Sequence, residues 1–309
     1  IRRPPRSTLS SSSAASDVYK RQPEYLGIRY QSPWIRILVS IFSLSLFFYL
    51  AGQLVSGIVM FEIMLGVPKM AALIITSVVL LIYVVLGGAH ADILTDGVQG
   101  FIMVGVGVLV AVLFCLGYGI EGGFDGMISA LGSQDENLVG WLNVTDVLYH
   151  SWWAIFAVFL AHVPLGMLPH IGNKLWALKE PTQRMQFIRL AFVFALILAM
   201  LGFGGIMARV ILGEGIDSNQ ALALLFIDLF PSWFAALLGV GILAAVMSTA
   251  DGLVVSSSQI VANDLYRLSF VPRYRKDLSE EEVERRSLNI SRISTVVIMI
   301  LCTLLAWQH

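Results

Sequence analysis

The chain has 309 residues, 57% hydrophobic and 13% charged, with a mean hydropathy of +0.79 and a formal net charge of −1. An ordinary soluble domain carries about 25% charged residues, so this composition excludes a water-soluble globule. The near-neutral balance offers no basic face for nucleic acid. A multi-pass membrane protein fits.

Residues 1–22, IRRPPRSTLSSSSAASDVYKRQ, are basic and Ser-rich and lack the apolar stretch of a secretory signal. They resemble a translated sequencing adapter, with a disordered cytoplasmic tail as the alternative. Residues 23–309 are left as the folded domain. The last residues, LCTLLAWQH, stop within an apolar run, so the chain reads as truncated at both ends.

Seven apolar runs follow: Ile37–Leu65, Met70–Leu86, Gly97–Tyr118, Ser151–Leu168, Phe187–Leu212, Trp233–Ala262 and Ile290–Gln308. Each is near or above the roughly 20 residues a helix needs to cross a bilayer. They are continuous rather than alternating, which predicts helices and excludes a closed barrel. If all seven alternate in direction, the loops on the side of the chain's start hold Arg29, Arg36, Lys174, Lys179, Arg184, Arg189, Arg267, Arg273, Arg275, Lys276, Arg285, Arg286 and Arg292. The opposite side holds Lys69 and Arg209. This bias puts the start of the chain in the cytoplasm. The loop 119–150 has acids and no Lys or Arg, and belongs outside. The charged loop 266–287 reads as a solvated cytoplasmic connector. Cys115 and Cys302 lie in apolar runs, where packing is the expected role.

Strongly polar groups at membrane depth cost several kcal/mol, so each is a functional candidate. In GGAHADILTDGVQ (87–99), Asp92 and Asp96 have no Lys or Arg beside them in sequence. Asp92 suits a solvated turn between two crossings. Asp96 stands at the start of the next helix, where capping is the alternative role. The fourth run, SWWAIFAVFLAHVPLGMLPHIGNKLW, is interrupted by His162, Pro164, Gly166, Pro169, His170 and Gly172. Pro and Gly free backbone groups that are tolerated at depth only against protein or a wet cavity. Such broken helices point to a transporter's binding site, and a structural kink is the alternative. In AAVMSTADGLVVSSSQIVANDLYR (244–267), Ala245, Ser248 and Thr249 share one helix face, and Ser256 returns near it. A carbonyl and two hydroxyls are hard, neutral donors suited to a small monovalent cation. They are equally able to serve as helix–helix glue, and spacing alone leaves both readings open.

Four segments resemble the sodium:solute symporter family, in the family's order, over about residues 23–309. GILAAVMSTADGLVVSSSQIVANDLYR resembles its signature helix, YVVLGGAHADILTDGVQGFIM its G-G…T-D-x-x-Q segment, GMLPHIGNKLWALKEP its P-H-x-x-R/K stretch, and PEYLGIRYQSPWIRIL its fourth-helix start. The resemblance implies an all-α membrane protein with a partial leucine-transporter-like inverted-repeat bundle, holding core helices three to nine in about seven transmembrane helices. It implies sodium-coupled symport of a small organic solute across the bacterial inner membrane. The expected partners are sodium, a small-molecule substrate and the lipid bilayer, with no other cofactor and no enzymatic reaction. Ala245 would give sodium its carbonyl, and Ser248 and Thr249 their hydroxyls. Asp96 would lie on the inner ion path. The broken sixth core helix would line the substrate cavity with Ala161, His162, Leu165, Gly166 and Pro169. Two departures matter. The first core helix, which completes the sodium site, is absent. The proline carriers also place aromatics where this chain has Ala161 and Leu165, and GMLPH is closer to the pantothenate-type members. That favours an organic anion or amino-acid-like solute. A transporter-like membrane sensor is the alternative. An intramembrane enzyme lacks a nucleophile–base or metal constellation.

Overall fold

The computed structural model describes residues 22–163, 168–176, 178 and 180–308, without the side chains of 83, 86–92, 173, 176 and 181. Every regular element among them is helical. In chain order these are α1 (Gln22–Arg29), α2 (Pro33–Ser43), α3 (Leu46–Leu65), α4 (Lys69–Leu116), α5 (Gly123–Gln134), α6 (Trp152–His162), α7 (Pro169–Trp176), α8 (Pro181–Ala199), α9 (Gly202–Ile211), α10 (Ala221–Leu229) and α11 (Ser232–Gln259). A π-helix (Ile260–Phe270), a short α12 (Val271–Tyr274) and α13 (Glu280–Trp307) complete the chain.

Local chemistry sets many of these limits. Ser32 caps α2 by accepting from the Ile35 amide at 3.4 Å, with Pro33 opening the first turn. Ser151 caps α6 through the Ala154 amide at 3.2 Å. Ser279 and Glu282 form a reciprocal capping box at the start of α13. Gly117 ends α4 with φ 58°, and a Cβ there would lie 2.1 Å from the Gly123 carbonyl carbon, so only glycine permits that turn.

Among the described residues, five stretches are long and apolar enough to cross a membrane: Pro33–Leu65, Ile93–Leu116, Thr182–Ile211, Ser232–Tyr274 and Glu280–Trp307. Lys69–Ile82 and Trp152–His162 are further apolar helical stretches among the described residues, within the predicted second and fourth runs. Within the fourth run, α6 covers Trp152–His162, and Pro164–Gly166 lie outside the described residues.

The 48-residue α4 differs from the expected pair of separate helices. No proline interrupts it, and Gly87 and Gly88 cost a helix only about 1 kcal/mol each. It is nevertheless not straight. Arg36 donates to the Leu268 carbonyl at 2.5 Å and to Ser269 Oγ at 3.3 Å, which fixes a common depth for α2 and the π-helix. At 1.5 Å per residue, Gly57 lies about 31 Å above that level and Gly241 about 40 Å. A Cβ on Gly57 would meet Thr76 Cγ2 at 2.9 Å, and one on Gly241 would meet Val106 Cγ2 at 2.6 Å. Thr76 and Val106 are therefore within roughly 10 Å of the same depth, although a straight helix would separate them by about 45 Å. The element therefore bends between Thr76 and Val106, glycines being a common cause of kinks in helices. Its two limbs correspond to the second and third apolar runs.

Helix α11 runs through the centre. Its inner half packs with α3, the first limb of α4 and α13, in a core that includes Leu50, Leu54, Leu73, Leu80, Leu253, Val254, Met299 and Cys302. Its outer half joins the second limb of α4 and α10 through Val106, Val110, Phe226, Ala235 and Leu238. Cys302 packs as expected, its thiol donating to the Phe47 carbonyl at 3.3 Å, whereas Cys115 is exposed. Large apolar side chains such as Phe101, Phe192 and Ile300 point outward, as lipid-facing residues do.

Candidate functional site

The sequence-predicted trio on α11 comes together. Ser248 Oγ donates to the Ala245 carbonyl at 3.1 Å, and Thr249 Oγ1 donates to the same carbonyl at 3.2 Å. Each hydroxyl spends its one proton on that oxygen, so the lone pairs of both remain available as acceptors. All three residues are half-buried, between the buried Ala244, Val246 and Ala250. Such back-bonding to the preceding turn also suits a packing hydroxyl. The additional feature here is the gathering of three neutral oxygens at one point on a central helix. Ser256, Ser257 and Ser258 lie deeper, in an unbroken buried stretch from Ala250 to Ser258.

Asp251, three residues beyond Ser248 on the same face, is 1% exposed, and its Oδ1 accepts from the Gly252 amide at 2.7 Å. Asp251 sits within the predicted crossing Trp233–Ala262, but the sequence alone does not show which groups enclose it.

Asp96 is at nearly the same level. It lies ten residues from Val106, placing it about 25 Å above the Leu268 reference, against about 30 Å for Ser248 and Thr249. The reading that no cation stands beside it holds only along the sequence. Lys174 of α7 forms an ion pair with Asp96 Oδ2, the two side chains being 25% and 21% exposed. Asp96 Oδ1 is buried with no hydrogen-bond partner, as is Gln99 Oε1 one turn further along α4. His170 Nδ1, one turn before Lys174 on α7, is likewise buried without a partner. In the sequence Lys174 enters as a topology residue and within the GMLPHIGNKLWALKEP stretch, and nothing local signals its contact with an acid 78 positions away.

The predicted substrate residues are not assembled into one described cavity. Ala161 and His162 are exposed at the end of α6, with His162 Nδ1 2.7 Å from the Val158 carbonyl of the same helix. Pro169 is buried at the start of α7, adjoining Leu168, which packs with Met247 of α11 against the inner core. Leu165 and Gly166 lie outside the described residues, as does the side chain of Asp92. The elements that do converge are therefore α4, α7 and α11, bringing acids, a lysine, an amide and hydroxyls to one depth. Among the described residues no group of three His, Cys, Asp or Glu side chains could hold a metal ion.

The sodium:solute symporter family profile matches residues 16–309. The chain belongs to the sodium:solute symporter family. The match takes in residues 16–22, which the sequence reading had set apart with the adapter-like start. A sodium/pantothenate symporter of Haemophilus influenzae is 26% identical over 281 residues, covering 90% of this chain and 55% of that protein. A high-affinity proline transporter of Bacillus subtilis is 26% identical over 297 residues, covering 93% of this chain and 59% of that protein. The chain thus spans a little over half the length of these relatives. The solved structure of a Na+-coupled sialic acid symporter in a substrate-bound outward-open state superposes with a TM-score of 0.73 at 18% identity, over 93% of this chain and 61% of that one. That likeness shows the fold: an all-helical, leucine-transporter-like membrane bundle.

Proposed function

We propose that the chain is part of a sodium-coupled secondary symporter for a small organic solute, and that it is not an enzyme. The observation that carries this reading is the meeting of the Ala245 carbonyl with the Ser248 and Thr249 hydroxyls on the central helix, near the level of the half-buried Asp96. Neutral oxygens replace the water of a small alkali cation without trapping it. Sodium entering from outside would bind at Ala245, Ser248 and Thr249 and leave inward past Asp96. An inward charge moving down 100 mV yields about 2.3 kcal/mol, more than a tenfold accumulation of solute.

The solute would bind near the midplane against the interrupted helix formed by α6 and α7, with Ala161, His162, Leu165, Gly166 and Pro169 as lining residues. An organic anion or amino-acid-like compound is the proposed class, in keeping with relatives named for pantothenate and proline. The start of the chain would face the cytoplasm of a bacterial inner membrane. Arg36 and Arg273 support this, because the first meets the π-helix and the second stacks 5.0 Å over Trp34, so two basic regions share one side.

Uptake by the full-length product of the gene in proteoliposomes tests the proposal, using an inward sodium gradient against a potassium control and a panel of organic acids and amino acids. Solute accumulation that requires the sodium gradient is expected. Uptake equal in both gradients would remove the coupling role of Ser248 and Thr249.

A further inference from the structure

We infer that Lys174 is a tethered counter-cation that occupies Asp96 when no ion is there and must be displaced when the coupling cation arrives. The inference rests on the proposed ion path through Asp96 and adds to it the residue that contests that path.

The starting observation is the ion pair itself. Lys174 Nζ reaches Asp96 Oδ2 across two separate helices, α7 and α4. A pair serving only to hold the helices together would be expected to satisfy its neighbours as well. Here three buried polar atoms on the same two helices, one in the pair itself and two a turn from it, have no hydrogen-bond partner: Asp96 Oδ1, Gln99 Oε1 and His170 Nδ1. Two of these are oxygens, three residues apart on one face of α4, so the carboxylate is half-used and has a second acceptor beside it. The Ser248 and Thr249 hydroxyls stand within about 5 Å of the same depth. A small cation coming from them meets a carboxylate already in contact with an ammonium. Two like charges within roughly 4 Å of each other repel strongly in a medium less polar than water, so both cannot share that carboxylate cheaply. One leaves when the other binds.

The exchange has a mechanical consequence. Lys174 sits on α7, the short helix after the interrupted segment, which packs against α1 and α11. While the ammonium holds Asp96, α7 is tied to α4. A cation at Asp96 releases that tie. Ion occupancy and the position of the helix proposed to border the solute are thereby coupled through a single side chain, and the returning ammonium helps expel the ion toward the cytoplasm.

The test compares wild type, Lys174→Gln, Lys174→Arg, Asp96→Asn and the Asp96→Asn/Lys174→Gln pair in the full-length product of the gene. Sodium dependence of uptake and equilibrium binding of radioactive sodium are both read. Removing the competitor is expected to lower the sodium half-saturation concentration of Lys174→Gln about tenfold while its maximal rate falls, because release slows. Lys174→Arg keeps the charge and is expected to restore both values. In the double variant the tightening disappears, since the contested carboxylate is gone. A stable Lys174→Gln protein with unchanged or weaker sodium affinity overturns the exchange, and so does tightening that persists in the double variant. If Lys174→Gln is unstable, thermal unfolding in sodium and in choline decides: stabilisation by sodium alone supports the exchange, and instability in both overturns it. Wild-type uptake indifferent to sodium sinks the transport reading and the exchange together. A sodium-dependent wild type with an unmoved Lys174→Gln sinks only the exchange.

Discussion

Replacing Ser248 and Thr249 by alanine probes the α11 oxygens directly. In the structure each hydroxyl makes one bond, to the Ala245 carbonyl, at 3.1 and 3.2 Å. That carbonyl is within a helix, so losing either hydroxyl should cost the fold no more than the 0.5–1.5 kcal/mol of an ordinary net hydrogen bond, roughly. An oxygen that ligates a cation is worth more, about 1.5–3 kcal/mol by analogy with hydrogen bonds to charged groups. The two readings therefore separate in what they move. As cation ligands, each alanine weakens sodium about 10- to 100-fold, and the double variant loses sodium dependence at accessible concentrations. As packing hydroxyls, they shift thermal stability slightly and leave sodium alone. The assay is initial-rate uptake against sodium concentration, with detergent thermal unfolding beside it. Thr249→Ser keeps the oxygen and should stay within a few fold of wild type. A folded double-alanine variant with unaltered sodium half-saturation would refute the reasoning.

Other expectations follow from packing and capping. Gly241→Ala places a Cβ 2.6 Å from Val106 Cγ2, so it should destabilise by about 1–3 kcal/mol in thermal unfolding, and Val106→Ala in the same chain should recover most of the loss. Ser279→Ala breaks the capping box of α13 and should cost about 1 kcal/mol without touching sodium dependence. Arg36→Ala leaves the Leu268 carbonyl without its guanidinium donor, and a loss of about 1–3 kcal/mol is expected in the same unfolding measurement.

Much of this architecture is readable from hydrophobic runs, because a crossing helix must satisfy its own backbone and present an apolar surface. The α11 trio is readable for a related reason: helical periodicity alone puts Ala245, Ser248 and Thr249 on one face. The apolar runs on either side of Gly87–Gln99 were legible, but their union in one 48-residue helical element was not, since two glycines weaken a helix without ending it. Tertiary pairing is what local sequence hides. Lys174 looks like one more topology-setting lysine until folding brings it 78 positions back to Asp96. Asp251 lies within a predicted crossing, but only the placement of α11 at the centre of the bundle shows that it is almost fully enclosed. In the fourth apolar run, whose Pro and Gly residues predict a broken helix, α6 ends at His162 and α7 starts at Pro169.

The central claim is that solute moves with sodium. Simultaneous tracer measurement of radioactive sodium and solute entering the same proteoliposomes tests it most directly. The account predicts a fixed ratio of sodium to solute that holds as either concentration is varied, and loss of both fluxes in the Ser248→Ala/Thr249→Ala variant. Solute entry with no accompanying sodium would contradict it.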